Sequence, residues 1–188
     1  ILNIKKKIKA EKDGLLKKNK FPILGCYLFM HPNIFNNFRT FRTGLFGKFE
    51  GKKKSDIKNI LISLGTAKLN YQIIKQIKNE IKGMLQNFEN KRINFYLDPV
   101  LGKIIKKDKN LKIAIADYSE EMFKKIDIAI IKPGLGTVND CLKYSIPIIS
   151  YTSDFNREFA YNTKIIKKNK LGFGVNNFAE VPKILKMI

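Results

Sequence analysis

From residue 57 onward, short apolar runs alternate with longer segments of helical period, and that alternation restricts the chain to very few folds. Residues 59–65, Asn-Ile-Leu-Ile-Ser-Leu-Gly, form the first run, and residues 93–97, 111–115, 128–131, 147–151 and 172–175 repeat the pattern. Each is rich in β-branched or aromatic residues and too short for a helix, so each reads as a strand. Between the first two lie Ile73, Ile74, Ile77, Ile81, Met84, Leu85 and Phe88, spaced to give a helix one apolar face. Ser119, followed by Glu120 and Glu121, reads as the N-cap of a short helix. Further helices are expected from the corner after residue 131 to about residue 143, over 157–168 and over 178–187. Strands alternating with helices call for an α/β fold, a parallel sheet with helices on both faces. In such sheets ligands sit beyond the carboxyl ends of the strands. Here those ends are polar or glycine-bearing: Gly65-Thr66, Asp117-Tyr118-Ser119, Lys132-Pro133-Gly134 and residues 153–158.

The sharpest local signal is residues 127–140, Asp-Ile-Ala-Ile-Ile-Lys-Pro-Gly-Leu-Gly-Thr-Val-Asn-Asp. It reads as strand, glycine turn and helix N-terminus. Thr137 with Asp140 three residues later has the spacing of a capping box, which would open the helix there. Such a corner gathers unpaired backbone N–H groups and the positive end of a helix dipole, so a phosphate is its natural occupant. The same corner also serves simply to turn a chain, and Gly134-Leu135-Gly136 is not the dinucleotide fingerprint. Asp140 taken alone fits a helix cap better than a ligand contact.

The net charge of +21 invites a nucleic-acid partner, but of 37 basic residues only four, Arg39, Arg42, Arg92 and Arg157, are arginine. Arginine is the residue favoured for forked contacts to phosphate and guanine. The lysines are spread along the whole chain, so the reading is of no nucleic-acid partner and of a surface suited to anionic lipid headgroups. Cys26 and Cys141 stand far apart and suggest neither a disulfide framework nor a zinc site, which fits a reducing cytoplasm. No run approaches the roughly 18 apolar residues of a membrane span, and no signal-peptide pattern is visible. The expected location is cytoplasmic, peripheral on the inner face of the membrane. No metal and no cofactor are expected.

Residues 1–56 are less readable. Residues 5–20 are charge-rich, and residues 21–30 could be a strand or a buried connector. His31 is the sole histidine and has no second acid or base beside it, so it reads as structural. Phe35, Phe38, Phe41, Phe46 and Phe49 suit buried packing or contact with another domain better than base stacking. Residues 50–56, Glu-Gly-Lys-Lys-Lys-Ser-Asp, form a polar hinge. The expected division is residues 1–56 as a first segment with its linker, and residues 57–188 as the α/β domain. Because the chain opens on Ile1 and closes on Ile188 within a helical pattern, it is expected to be a fragment.

Several motifs stand in a telling order. They are Ile-Leu-Ile-Ser-Leu-Gly-Thr, Asp-Tyr-Ser-Glu-Glu-Met, the stretch 127–140, Ile-Pro-Ile-Ile-Ser-Tyr, Arg-Glu-Phe-Ala-Tyr-Asn and Leu-Gly-Phe-Gly-Val. Together they resemble the C-terminal, nucleotide-sugar-binding domain of GT-B glycosyltransferases, in the manner of the family of the bacterial peptidoglycan N-acetylglucosaminyltransferase. The resemblance covers about residues 57–188 and implies a Rossmann-like sheet. It implies that residues 57–188 are a nucleotide-sugar-binding domain and residues 1–56 the remnant of an N-terminal domain with its linker.

The resemblance also implies roles. Gly65 and Thr66 match the first glycine loop, near the donor diphosphate. Ser119 lies in the loop whose backbone reads the uracil edge, and Met122 matches a methionine near the base, although plain core packing explains Met122 equally well. Lys132 falls where relatives place an Arg or His beside the phosphates, where a cation offsets charge on the departing diphosphate. Gly134, Gly136, Thr137 and Val138 would supply the turn and the helix N-terminal N–H groups. Asp140 matches an acidic residue that accepts from the ribose hydroxyls, though the commoner residue there is Glu, one methylene longer. Arg157 and Glu158 fall in the segment that meets the donor sugar. Phe159 replaces the usual Gln, and a phenyl ring cannot hydrogen-bond a hydroxyl. No residue is identified as a catalytic base, because in this fold acceptor and base come from the N-terminal domain.

The implied activity is inverting, metal-independent transfer of a hexosyl group from a UDP-sugar to an acceptor, lipid-linked or otherwise at the membrane surface. The same fold also serves UDP-sugar epimerases and hydrolases. A non-catalytic donor-binding subunit of a split transferase, completed by a partner chain, is a further alternative. A nucleic-acid-binding module is favoured only by charge.

Overall fold

A computed structural model describes residues 23–26, 29, 40–43, 57–65, 71–88, 92–105, 111–152 and 157–187. The chain forms two compact units, Ile1–Leu45 and Phe46–Ile188. In the first, β1 (Ile23–Cys26) pairs in parallel with β2 (Thr40–Thr43), so the apolar stretch at 21–30 does contain a strand. Phe29 beyond it is buried. His31, Phe35, Phe38, Phe46, Phe49 and the hinge at 50–56 lie outside the described residues.

The second unit carries the alternation. Its elements are β3 (Asn59–Ser63), α1 (Tyr71–Gln86), β4 (Asn94–Leu97), α2 (Pro99–Ile104) and β5 (Lys112–Ile115). Then come α3 (Glu120–Lys125), β6 (Ile128–Ile131), α4 (Leu135–Lys143), β7 (Ile148–Tyr151), α5 (Arg157–Lys168) and β8 (Gly172–Val175). A 3-10 turn (Phe178–Glu180) leads into α6 (Val181–Leu185). The six strands β3 to β8 form one parallel sheet in the order β5-β4-β3-β6-β7-β8. The chain therefore winds outward from β3 to β5, returns to the centre, and winds the other way from β6 to β8. β3 and β6 are neighbours whose chains leave in opposite directions, and the crevice that this opens lies at their carboxyl ends.

Side-chain alternation explains why both faces are covered. Ile60, Ile62, Phe95, Leu97, Ile128, Ile130, Ile149 and Val175 join one core with Ile77, Ile81, Met84 and Leu85 of α1, and with Phe178 and Val181 beyond β8. The intervening positions, Leu61, Ser63, Ala129, Ile131, Ile148 and Ser150, are buried as well. β3, β6 and β7 thus lack a solvent face, as strands in a doubly covered parallel sheet must. At about 25 cal/mol per Å² of apolar surface, each fully buried Ile contributes roughly 2–3 kcal/mol against the cost of ordering it.

Two local features differ from the sequence reading. The α2 helix was not expected, although Asp98-Pro99 announces it: Asp98 caps the first turn and Pro99 occupies a position needing no N–H. The helix expected over 178–187 divides into the 3-10 turn and α6. Asn177 and Glu180 form a capping box around the turn, and Pro182 lies in the first turn of α6, where its missing N–H is tolerated.

Candidate functional site

The tip of β3 is held from three directions. Asp98, 1% exposed at the end of β4, accepts from the Leu64 N–H at 2.7 Å through one oxygen and from Val100 and Leu101 through the other. Lys132, just past β6, donates its N–H to the Ser63 carbonyl at 2.9 Å. Tyr118, in the loop after β5, shares a 2.8 Å hydrogen bond between its hydroxyl and Ser63 Oγ. Gly65 then turns the chain away at φ +77°, a conformation that side chains resist. Thr66, expected beside it, lies outside the described residues.

The loop after β6 is built differently. Pro133 is buried, and its carbonyl accepts from the Nδ2 of buried Asn162 at 2.8 Å, which ties α5 to the loop. α4 begins at Leu135 with Gly134 as N-cap, and no side chain caps it. The helix therefore opens before Thr137, because extended Gly134 already supplies the capping conformation, at φ −71° and ψ 141°. Thr137 sits at the third helical position, so the Thr137–Asp140 spacing is not a capping box. The first ladder bond runs from the Val138 N–H to the Gly134 carbonyl at 3.0 Å. The N–H groups of Leu135, Gly136 and Thr137 precede it and point from the helix N-terminus. Val138 is fully buried and its N–H is used within the helix, which removes it from the donors expected there. A Cβ on Gly134 or Gly136 would meet nothing within 4 Å, so the protein's own packing asks for neither glycine. The space beside both is open.

Lys132 lies between these two loops. A Cβ on Gly65 would lie 3.7 Å from its Cε and 3.8 Å from its Nζ. On another side the Nζ stands 4.8 Å from the ring centroid of Phe159, in the first turn of α5. Lys132 is half-buried, and no carboxylate among the described residues pairs with its ammonium.

The loop after β5 approaches from the far side of β4. Asp117 accepts from the Ser119 N–H and Oγ, both at 2.9 Å, and these bonds, the backbone one foremost, hold its carboxyl below the usual range. Ser119 caps α3 as its sequence predicts, accepting from the Met122 N–H at 3.1 Å, and its carbonyl accepts from Phe123. Both backbone groups of Ser119 are thus committed inside the protein. Met122 is buried at 4% exposure and packs as core. The group this loop turns outward is Tyr118, at φ +56° and 37% exposed, with its ring tilted against Phe123. Burial pushes the Tyr118 phenol up, although the Ser63 bond opposes the shift.

Asp140 is half-buried on α4, six positions into the helix, and burial raises its carboxyl while nearby Lys143 lowers it. Arg157 and Glu158 are exposed in the first turn of α5. On the buried side of α5, Thr163 Oγ1 joins Ser150 Oγ at 2.5 Å and Thr152 Oγ1 at 2.6 Å, so α5 is moored to β7 by hydroxyls as well as by apolar contact. The structure therefore gathers Gly65, Lys132, Gly134, Gly136 and Thr137 at the crevice. It sets Met122 and Val138 in the interior. Asp98, Tyr118 and the role of Phe159 were missed, because each acts on a residue far away in sequence.

The fold of the second unit recurs in solved glycosyltransferases. The spinosyn forosaminyltransferase superposes with a TM-score of 0.58 at 11% sequence identity, over 79% of this chain and 41% of that one. The glycotransferase of kitacinnamycin gives 0.56 at 11% identity, over 79% and 40%. The calicheamicin glycosyltransferase gives 0.54 at 15% identity, over 79% and 38%. This is the Rossmann-like half of the GT-B fold. The chain spans about two fifths of the length of these enzymes. No family model matches the sequence, and no curated protein matches it. In the GT-B half-fold the crevice between β3 and β6 is the sheet's natural ligand position. Among the described residues no helix is long and apolar enough to cross a membrane.

Proposed function

We propose that this chain holds the nucleotide-sugar donor of a glycosyltransferase, with the diphosphate seated between Gly65 and the N-terminus of α4. One observation carries the reading: an ammonium with no carboxylate partner among the described residues, Lys132, stands at the switch point beside an uncapped helix N-terminus. As the glycosidic bond breaks, negative charge accumulates on the departing diphosphate. Preorganised N–H groups and a fixed cation stabilise that charge more than they stabilise the bound donor, which is the condition for catalysis.

The donor in this reading is a UDP-sugar, and the enzyme a distant relative of the peptidoglycan-type transferases. Asp140 accepts from the ribose hydroxyls, and Arg157 and Glu158 meet the sugar. Phe159 offers no hydrogen bond, so sugar hydroxyls on that side rely on Glu158. The acceptor, and the base that activates it, come from another domain or partner subunit. The strongly basic surface suits an acceptor held at an anionic membrane.

Titration calorimetry of the 188-residue chain with UDP, GDP, dTDP and a short oligonucleotide tests the reading. UDP binding that weakens about tenfold or more in Lys132→Ala and in Asp140→Ala is expected, since charge-assisted contacts carry ~1.5–3 kcal/mol each. Absence of nucleotide binding together with steeply salt-dependent oligonucleotide binding would replace it with a nucleic-acid function.

A further inference from the structure

Lys132 poses a question that the donor-site reading leaves open. A lysine has four rotatable bonds and a strongly hydrated head, so a half-buried ammonium next to a phosphate site normally needs a carboxylate or a carbonyl to hold it still. Here the group that the structure sets against it is an aromatic face. The Phe159 ring centroid lies 4.8 Å from Nζ, within the roughly 6 Å over which a ring quadrupole attracts a cation. Gly65 lies on another side, where a Cβ would come within ordinary contact of the lysine tip.

The ring is itself held in place. Phe159 belongs to the first turn of α5, and α5 is fixed by Asn162 to the Pro133 carbonyl and by Thr163 to Ser150 and Thr152. Pro133 is the residue immediately after Lys132, so one helix grips both the backbone and the tip of the same lysine arm. A carboxylate at residue 159 would also have held the ammonium, but it would have neutralised it and repelled an incoming anion. An aromatic face orients the cation and leaves its charge to be used.

We infer that Phe159 is a positioning residue: its ring holds the Lys132 ammonium beside Gly65 for a phosphate group entering the crevice. The inference rests on the donor-site reading for the identity of the ligand as a nucleoside diphosphate. The steering itself needs only a phosphate. It also gives the phenyl ring a positive function at a position where it contributes no hydrogen bond to a sugar.

Three probes on the full chain decide the matter: UDP, inorganic pyrophosphate and uridine, titrated against wild type, Phe159→Leu and Phe159→Tyr. Leu keeps an apolar side chain and removes the quadrupole, whereas Tyr keeps the ring. The Lys132 side-chain Hε resonances, assigned by their loss in Lys132→Gln, report ring proximity with no ligand present. The expected result is an upfield-shifted Lys132 signal in wild type and Phe159→Tyr that relaxes in Phe159→Leu. UDP and pyrophosphate should bind about three- to tenfold more weakly to Phe159→Leu, near wild-type strength to Phe159→Tyr, and uridine should not discriminate among them.

UDP binding that is equal in wild type and Phe159→Leu overturns the inference and leaves the donor site standing. Pyrophosphate binding that depends on the ring, with no binding of UDP, upholds the inference and overturns the UDP reading. An unshifted Lys132 signal in wild type, or a wild type that binds neither UDP nor pyrophosphate, overturns it outright.

Discussion

The two loops that meet at the centre of the sheet are made on opposite principles. In the loop leaving β3 the described residues are satisfied by the protein: Asp98 takes the Leu64 N–H, Tyr118 takes Ser63 Oγ, and Gly65 adopts a turn that suits little else. The loop leaving β6 is anchored from beneath through Pro133 but left open above, with an uncapped helix, two glycines facing empty space and a cation that, among the described residues, meets a ring and no carboxylate. A fold gains stability by satisfying its polar groups, so a place where it consistently does not is a place kept for something else. On the donor-site proposal the first loop is a platform and the second a receptor.

Substitutions should separate the two. Asp98→Ala removes a buried carboxylate serving three N–H groups, and should destabilise the chain by about 3 kcal/mol or more in urea unfolding. A loss below ~1 kcal/mol would mean that the platform is not pinned as described. Gly65→Ala forces a side chain into the left-handed region and should lose roughly 1–2 kcal/mol. Both should lower nucleotide affinity only as far as they unfold the loop.

In the receptor the signs reverse. Gly134→Asp supplies the missing N-cap and a negative charge at the helix N-terminus, so stability should rise by about 0.5 kcal/mol. The same carboxylate occupies the phosphate's place, and UDP binding should be abolished. A variant that is more stable and still binds would show that the helix end is not part of the site.

Asp140 gives the smallest effect and the most diagnostic one. Burial raises its pKa in the folded chain, so the native state holds this proton more tightly than the unfolded state does. Its contribution favours folding below the unfolded value and is lost as pH rises through the folded one. At neutral pH the ionised carboxylate is therefore slightly unfavourable, and Asp140→Asn should melt at or above the wild-type temperature. That margin should vanish in acid, below about pH 4. UDP affinity should nevertheless fall in Asp140→Asn, which separates a ligand contact from a structural residue.

Tyr151, whose phenol burial pushes up to about 12, offers an independent check on the core. Its proton is held more tightly in the folded chain, so stability should decline as pH rises from about 10 toward 12, and Tyr151→Phe should blunt that decline. Absorbance titration alongside thermal melts would measure it.

Much of the architecture was legible because it depends on near neighbours. The six strands and the helix over residues 157–168 follow from runs and periods within a dozen residues, and Ser119 announced α3 by its own chemistry. Asp98-Pro99 carried an equally local signal for α2 that the strand pattern around it obscured. The glycine corner was legible as a strand, turn and helix N-terminus but not in detail. Counting residues placed the helix start at Thr137, whereas the backbone made Gly134 the cap, and that shift took Val138 out of the donor set.

Sequence by itself determined the parallel α/β layering, the positions of the strand ends and the chemistry available there, because hydrophobic period and turn residues act within one element. Only the tertiary structure decided which of those ends meet. The strand order brings Tyr118 to Ser63 across 55 residues, Asp98 to Leu64 across 34 and Asn162 to Pro133 across 29, and it sets Phe159 against Lys132. Such contacts depend on how the sheet is wound, which no period or turn residue within a single element encodes.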